Sequence, residues 1–147
     1  MTDIKKKRTI AATFANEIDK NTDYKDLAFA FRKAWELANA ETLTTKIAGV
    51  TYGSRQKALT RLTKYDATEI RIDLERDAGN AYDTKAIKIQ VSVNGGGKYH
   101  LGYLPKLLAG MLAPLLDKGF DLTARLKSIT GGTEGRETLG ALIDIGL

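Results

Sequence analysis

Cysteine is absent from the 147-residue sequence, and histidine occurs once, as His100. Disulfide frameworks and thiolate-held zinc or iron–sulfur sites are thereby excluded, and a His-rich metal centre is untenable. No cofactor is expected. No apolar run approaches the ~20 residues that a membrane helix requires. The opening Lys5-Lys6-Lys7-Arg8 cluster is followed by Asn16, Glu17 and Asp19, where a signal peptide would carry an unbroken apolar stretch. The chain is therefore read as intracellular, in the cytoplasm, with no membrane partner. Proline is scarce: Pro105 and Pro114 are the two, and they and all 14 glycines lie after residue 48.

What is present describes a globular chain. The 43% apolar and 28% charged content suits a packed domain, not a disordered one. A chain of this length buries roughly 68–70% of its unfolded surface, enough for a core without staples. The net charge is +5, with eight basic and seven acidic residues in 1–44 against fifteen and eleven in 45–147. The surplus sits in the second segment, where it permits contact with phosphate without establishing it.

The glycine boundary divides two kinds of pattern. In the first segment Tyr24, Leu27, Ala28, Phe31, Ala34, Trp35 and Ala38 follow helical spacing, and Ile10, Phe14 and Ile18 mark a shorter helix before them. Residues 1–44 are thus expected to form a helical N-terminal extension. From residue 45 the periods alternate: a strand over Thr45–Tyr52, a helix from Arg55 to Thr63, and strands around Ile70–Leu74 and Ile87–Val93. Asn94-Gly95-Gly96-Gly97 predicts a hairpin turn, Lys98–Leu104 the return strand, and Pro105 the first position of a helix reaching Asp117, broken near Pro114. Lys118-Gly119 stops that helix. Strands at Leu122–Leu126 and Leu139–Ile145 close the series. The expected fold is α+β: a six-stranded, partly closed antiparallel barrel with two short helices, over residues 45–147.

Three segments carry chemistry. Gly49-Val50-Thr51-Tyr52-Gly53-Ser54-Arg55 brings backbone N–H groups and a guanidinium to a helix start, where an anion could sit, or where Ser54 simply caps a turn. Between two strands, Asp77-Ala78-Gly79-Asn80-Ala81-Tyr82-Asp83 makes a polar loop. Asn80 and Asp83 there could brace the backbone, or Tyr82 could stack on a base while Asp83 accepts from a sugar hydroxyl and Asn80 donates to an oxygen. Tyr103 and Lys106 flank the start of the second helix, where a phosphate would find charge and donors. His100 reads as an ordinary strand residue. No Walker loop, cysteine nucleophile or Gly-x-Ser-x-Gly elbow occurs, so catalysis is not expected.

Together, Gly49-Val50-Thr51-Tyr52 with Arg55-Gln56, Leu74-Glu75-Arg76-Asp77 through Asn80-Ala81-Tyr82-Asp83 to Ala86-Ile87, and Leu101-Gly102-Tyr103-Leu104-Pro105 resemble the HIRAN domain. This module occurs at the N-terminus of some helicase-like DNA-remodelling proteins and alone in bacteria and phages. The resemblance runs from about Thr45 to Leu147 and implies an OB-like six-stranded barrel that binds single-stranded DNA by its 3′ end. It further implies that Asn80, Tyr82 and Asp83 clasp the terminal nucleotide, Asp83 near the 3′ hydroxyl. Tyr52, Tyr103 and Lys106 would then line the pocket or touch phosphate, with Arg55 a looser match. The sequence departs from the usual pattern at Ala78 and Ala81, where prolines are common. The loop bearing Tyr82 and Asp83 is expected to open on a hollow sized for one nucleotide.

A second reading makes the chain an interaction protein that docks a partner, or a second copy of itself, through residues 22–39, with Phe31 and Trp35 as anchors. A third, a phage-encoded inhibitor of a host defence enzyme, has no sequence feature of its own.

Overall fold

The computed structural model describes residues 5, 8, 9, 23, 25, 28, 29, 32, 33, 35, 36 and 42–146. Most of the expected helical extension, including Ile10, Phe14, Ile18, Tyr24, Leu27, Phe31, Ala34 and Ala38, lies outside the described residues, as do Lys6, Lys7 and Leu147.

From residue 42 the elements run β1 (Thr42–Lys46), α1 (Arg55–Leu62), a 3-10 turn (Ala67–Glu69), β2 (Ile70–Arg76), β3 (Ile87–Val93), β4 (Tyr99–Tyr103), α2 (Lys106–Asp117), β5 (Thr123–Thr130) and β6 (Gly140–Gly146). The six strands form one antiparallel sheet in the order β1-β6-β5-β2-β3-β4. It curls into a half-barrel, the OB-like architecture expected. Past the end of β1, Ala48 bridges Tyr103 of β4, with N–H···O distances of 2.8 and 3.0 Å in the two directions. The two edge strands therefore meet at one end, and neither edge is left fully unpaired there.

Alternation decides what faces inward. On β3, Ile87, Ile89 and Val91 are buried; their register partners on β2 are Arg76, Leu74 and Ile72, and Ile72 and Ile70 of that strand are buried too. Helix α2 contributes Leu108, Met111, Leu112 and Leu115 to the same core cluster. Each such side chain contributes ~1.5–3 kcal/mol by leaving water. Asn94 (φ 49°) and Gly95 (φ 74°) occupy the two central positions of the β3–β4 turn, closed by Gly96 N–H to Val93 O at 2.9 Å. Two positive φ values in succession match the twist of the flanking strands.

Four local expectations are corrected. The first strand spans Thr42–Lys46 instead of Thr45–Tyr52, because Leu43 and Thr45 alternate inward and Gly49 (φ 75°) turns the chain out of the sheet. Pro105 is the N-cap of α2, not its first residue, and Pro114 sits inside an unbroken helix. A proline there forfeits one backbone bond, and the packing of Ala113 and Leu115 on either side holds the turn together. Ser54 occupies the N-cap of α1, but its hydroxyl makes no capping hydrogen bond. The stop of α2 is as expected: Gly119 (φ 88°) N–H bonds Leu116 O at 3.0 Å and Phe120 N–H bonds Leu115 O at 3.1 Å.

Candidate nucleic-acid interface

Arg55, the first residue of α1, is the hub of one end of the barrel. Two overlapping turns, Tyr52 N–H to Gly49 O and Arg55 N–H to Tyr52 O at 3.3 Å each, fold the β1–α1 connection back on itself. This places the Gly49 carbonyl within 2.8 Å of an Arg55 guanidinium N–H. The same guanidinium lies 5.1 Å from the Tyr52 ring centroid and 5.9 Å from that of Tyr103. Its other terminal nitrogen is 3.4 Å from His100 Nδ1. Among the described residues Arg55 has no carboxylate partner, so its charge is oriented by rings and a carbonyl but not neutralised.

His100 and Tyr103 meet edge to face, with centroids 4.7 Å apart at 86°. Residues three apart on a regular strand point to opposite faces. Here β3 and β4 slip by one: Ile89 faces Gly102 and Gln90 faces His100, leaving Leu101 as the extra residue of a bulge. The bulge turns both rings to one side. His100 Nε2 donates to Gly102 O at 2.9 Å, which leaves Nδ1 as the acceptor for Arg55. Burial first, and the Arg55 charge second, push the imidazole below the ordinary histidine value. His100 is thus a neutral acceptor in the site.

The 77–86 connection joins this hub through Asp77. Its Oδ2 accepts from Tyr103 Oη at 3.1 Å and from Asn80 Nδ2 at 3.2 Å. The Asn80 bond first, then that of Tyr103, hold the Asp77 carboxyl below its usual value. Burial, followed by the Asp77 hydrogen bond, raises the Tyr103 phenol, so it stays protonated and donates. Asn80 Oδ1 accepts two backbone N–H groups, from Tyr82 at 2.9 Å and Asp83 at 3.1 Å. Asp83 Oδ1 takes the Lys85 N–H at 2.9 Å. Arg76 clamps the loop from beneath by donating to the carbonyls of Thr84 and Ala86, both at 3.1 Å.

The seven expected site residues fall into three groups. Tyr52 and Tyr103 each face the Arg55 guanidinium; Asn80, Tyr82 and Asp83 share the loop; Asp77 connects the two sets. Lys106 is exposed on the first turn of α2 and makes no hydrogen bond, ion pair or ring contact with the others. Asn80 spends its amide inside the loop, so in this structure it braces. Asp83 uses one oxygen for bracing and keeps the other free. Tyr82 is 96% exposed and Tyr52 75%, two rings held out to solvent. One cavity of about 670 Å³ lies between α1 and the β3–β4 hairpin, another of about 670 Å³ lies beside the β5–β6 connection, and the Tyr82 loop lines neither.

Asp77 and His100 belong to the site without having been singled out for it. Asp77 carried a signal, an acid three residues before an asparagine that can fold back on it. His100 carried none, because the bulge that aims it is a property of strand pairing.

No helix among the described residues is long and apolar enough to cross a membrane. No curated protein matches the chain. Two solved structures are similar to it. The HIRAN domain of human HLTF is 23% identical, with a TM-score of 0.48 over 71% of this chain and 74% of that one. A Lactobacillus plantarum protein is 22% identical, with a TM-score of 0.46 over 72% and 95%. A family model, that of the HIRAN domain, matches residues 41–142, well over half of the sequence. The chain belongs to the HIRAN domain family, a family of DNA-binding modules.

Proposed function

We propose that the chain is a non-enzymatic module that captures single-stranded DNA by its 3′ end, and that the barrel of residues 45–147 does the binding. The observation that carries this reading is a tyrosine left 96% exposed on a loop that Asp77, Asn80 and one oxygen of Asp83 brace from within. An aromatic ring held in water by a braced loop is preorganised to stack on a base, at ~1–3 kcal/mol per base. Beside it, the free oxygen of Asp83 accepts a hydroxyl proton, and a terminal 3′ hydroxyl supplies one. A 3′ phosphate would instead be repelled by that carboxylate. Arg55, with no acid against it, and Lys106 supply cations for the phosphates. Asn80 and Asp77 position the loop and Tyr103 beneath this surface.

Titration of a labelled oligonucleotide against full-length protein is the test. Tyr82→Ala weakens binding about 5- to 150-fold, the equivalent of ~1–3 kcal/mol. Asp83→Asn keeps the acceptor for Lys85 but removes the charge, and it erases the preference for a free 3′ hydroxyl over a 3′ phosphate. Equal affinity of the unaltered protein for both ends refutes end recognition.

A partner-docking role for residues 22–39 is the second reading, supported by Trp35, which is 72% exposed. Phe31, its proposed companion, lies outside the described residues. Light scattering of Trp35→Ser against the unaltered chain tests it: an unchanged oligomeric state and unchanged partner capture remove the reading.

A further inference from the structure

The cavity of about 670 Å³ between α1 and the β3–β4 hairpin is lined by no acidic residue. Lys57 and Arg61, one turn apart on α1, line one wall with Tyr65 below them; Tyr99, Ser92 and Asn94 line the other. Its volume falls within the ~300–1,000 Å³ of ligand sites. Tyr65 and Tyr99 are 39% and 40% exposed, so two ring faces are available in it. Lys57 and Arg61 are exposed and make no ion pair among the described residues. Glu69 meets the hairpin turn through its carbonyl, which accepts the Asn94 N–H at 2.9 Å. Its carboxylate is spent on the Asp66 N–H at 3.0 Å.

The first turn of helix α1 is built against local preference. It holds the cations Arg55 and Lys57 and no acid, while Arg61 lies in the last turn, where a cation suits the dipole. Cations near a helix N-terminus oppose the helix dipole, and like charges four apart repel. A departure from local consistency without evident structural return marks a functional surface. The cavity and the candidate interface draw on neighbouring residues of α1 and β4. Ser54 and Tyr99, which line it, are the chain neighbours of Arg55 and His100 in the hub.

We infer that this groove is a second subsite for the same single strand. Nucleotides beyond the terminal one run along α1, their phosphates on Lys57 and Arg61 and a base between Tyr65 and Tyr99. The inference rests on the proposed capture of a 3′ end by the Tyr82 loop, and it adds the direction in which the strand leaves. Charge and exposed rings together select a nucleic-acid strand over an apolar peptide, which would not use unpaired cations.

The test uses full-length protein with a dinucleotide and a twelve-residue single-stranded DNA, both with free 3′ hydroxyls. The double variant Lys57→Ala/Arg61→Ala is expected to bind the longer strand at least tenfold more weakly and the dinucleotide unchanged. The slope of log affinity against log salt for the longer strand is expected to fall by about 1.4, since each single-strand phosphate contributes about 0.7. Tyr99→Ala is expected to weaken the longer strand alone. Circular dichroism melting monitors the fold of each variant. Equal loss for both oligonucleotides, or no loss for either, overturns the groove. If Tyr82→Ala leaves binding intact while Lys57→Ala/Arg61→Ala abolishes it, end capture fails and the groove stands; the opposite pattern spares end capture and removes the groove.

Discussion

Replacing Gly102 by alanine probes the joint on which the interface is built. Gly102 is buried in β4 beside the Ala48–Tyr103 bridge. A Cβ added there would lie 2.4 Å from the Ala48 carbonyl oxygen and 2.6 Å from Ile47 Cγ2. Both are closer than atoms tolerate, and the first neighbour is backbone, which cannot rotate away. Relief requires the segment after β1 to lift off β4. Overpacking of this kind costs ~1–3 kcal/mol. Lifting also breaks the two bridge hydrogen bonds, each contributing ~0.5–1.5 kcal/mol. The expected loss of stability is therefore about 2–6 kcal/mol, read as a lower urea midpoint at unchanged slope. Because the Gly49 carbonyl and the Tyr103 hydroxyl ride on that joint, DNA affinity falls in the variant even where it remains folded. Gly110, inside α2, is the control: nothing lies within 4 Å of its added Cβ. Gly110→Ala should stabilise the chain by about 0.8–1.0 kcal/mol through helix propensity. A Gly102→Ala midpoint equal to that of the unaltered protein, or a Gly110→Ala loss exceeding it, refutes the reasoning.

Tyr82→Ala should leave the urea midpoint within ~0.5 kcal/mol of the original, since its ring touches little, which separates its binding defect from a folding defect. Tyr103→Phe removes one of two side-chain donors to Asp77, and Asp77 should titrate closer to its ordinary 3.8 by NMR; an unmoved titration would refute the bond. His100 is held below the ordinary 6.5, so the unfolded chain takes up this proton first. Its contribution is therefore full above pH 6.5 and is lost as pH falls through the lower folded value. In denaturation at pH 7.5 and at pH 5.5, His100→Gln should flatten that decline, and identical pH dependence in the two proteins would exclude His100 as its source.

Much of the barrel is legible in short-range pattern. Ile87, Ile89, Val91 and Val93 alternate because a strand with one wet face must, and Asn94-Gly95 follows them because a tight hairpin needs two positive φ values. Where β1 begins was less legible: Thr42 and Thr44 read equally well as loop, and only pairing with Gly146 and Asp144 of β6 makes them strand. Pro114 misled for the opposite reason, since a helix breaker in isolation is tolerated when its neighbours are buried in a core.

The site divides along the same line. Residue order by itself determined which chemistry the Asp77–Asp83 loop could hold, because asparagine and aspartate bond backbone groups two or three positions away wherever they occur. Folding decided which polar atoms that bracing consumes and which it spares, Asn80 on one side and the second oxygen of Asp83 on the other. It alone aimed His100, since a one-residue slip between β3 and β4 reverses the face a side chain takes, and register is settled by contacts far apart in the chain. It also brought Arg55, Tyr103 and Asp77 together from three separate elements, a meeting that depends on the curl of the sheet closing at Ala48 and Tyr103.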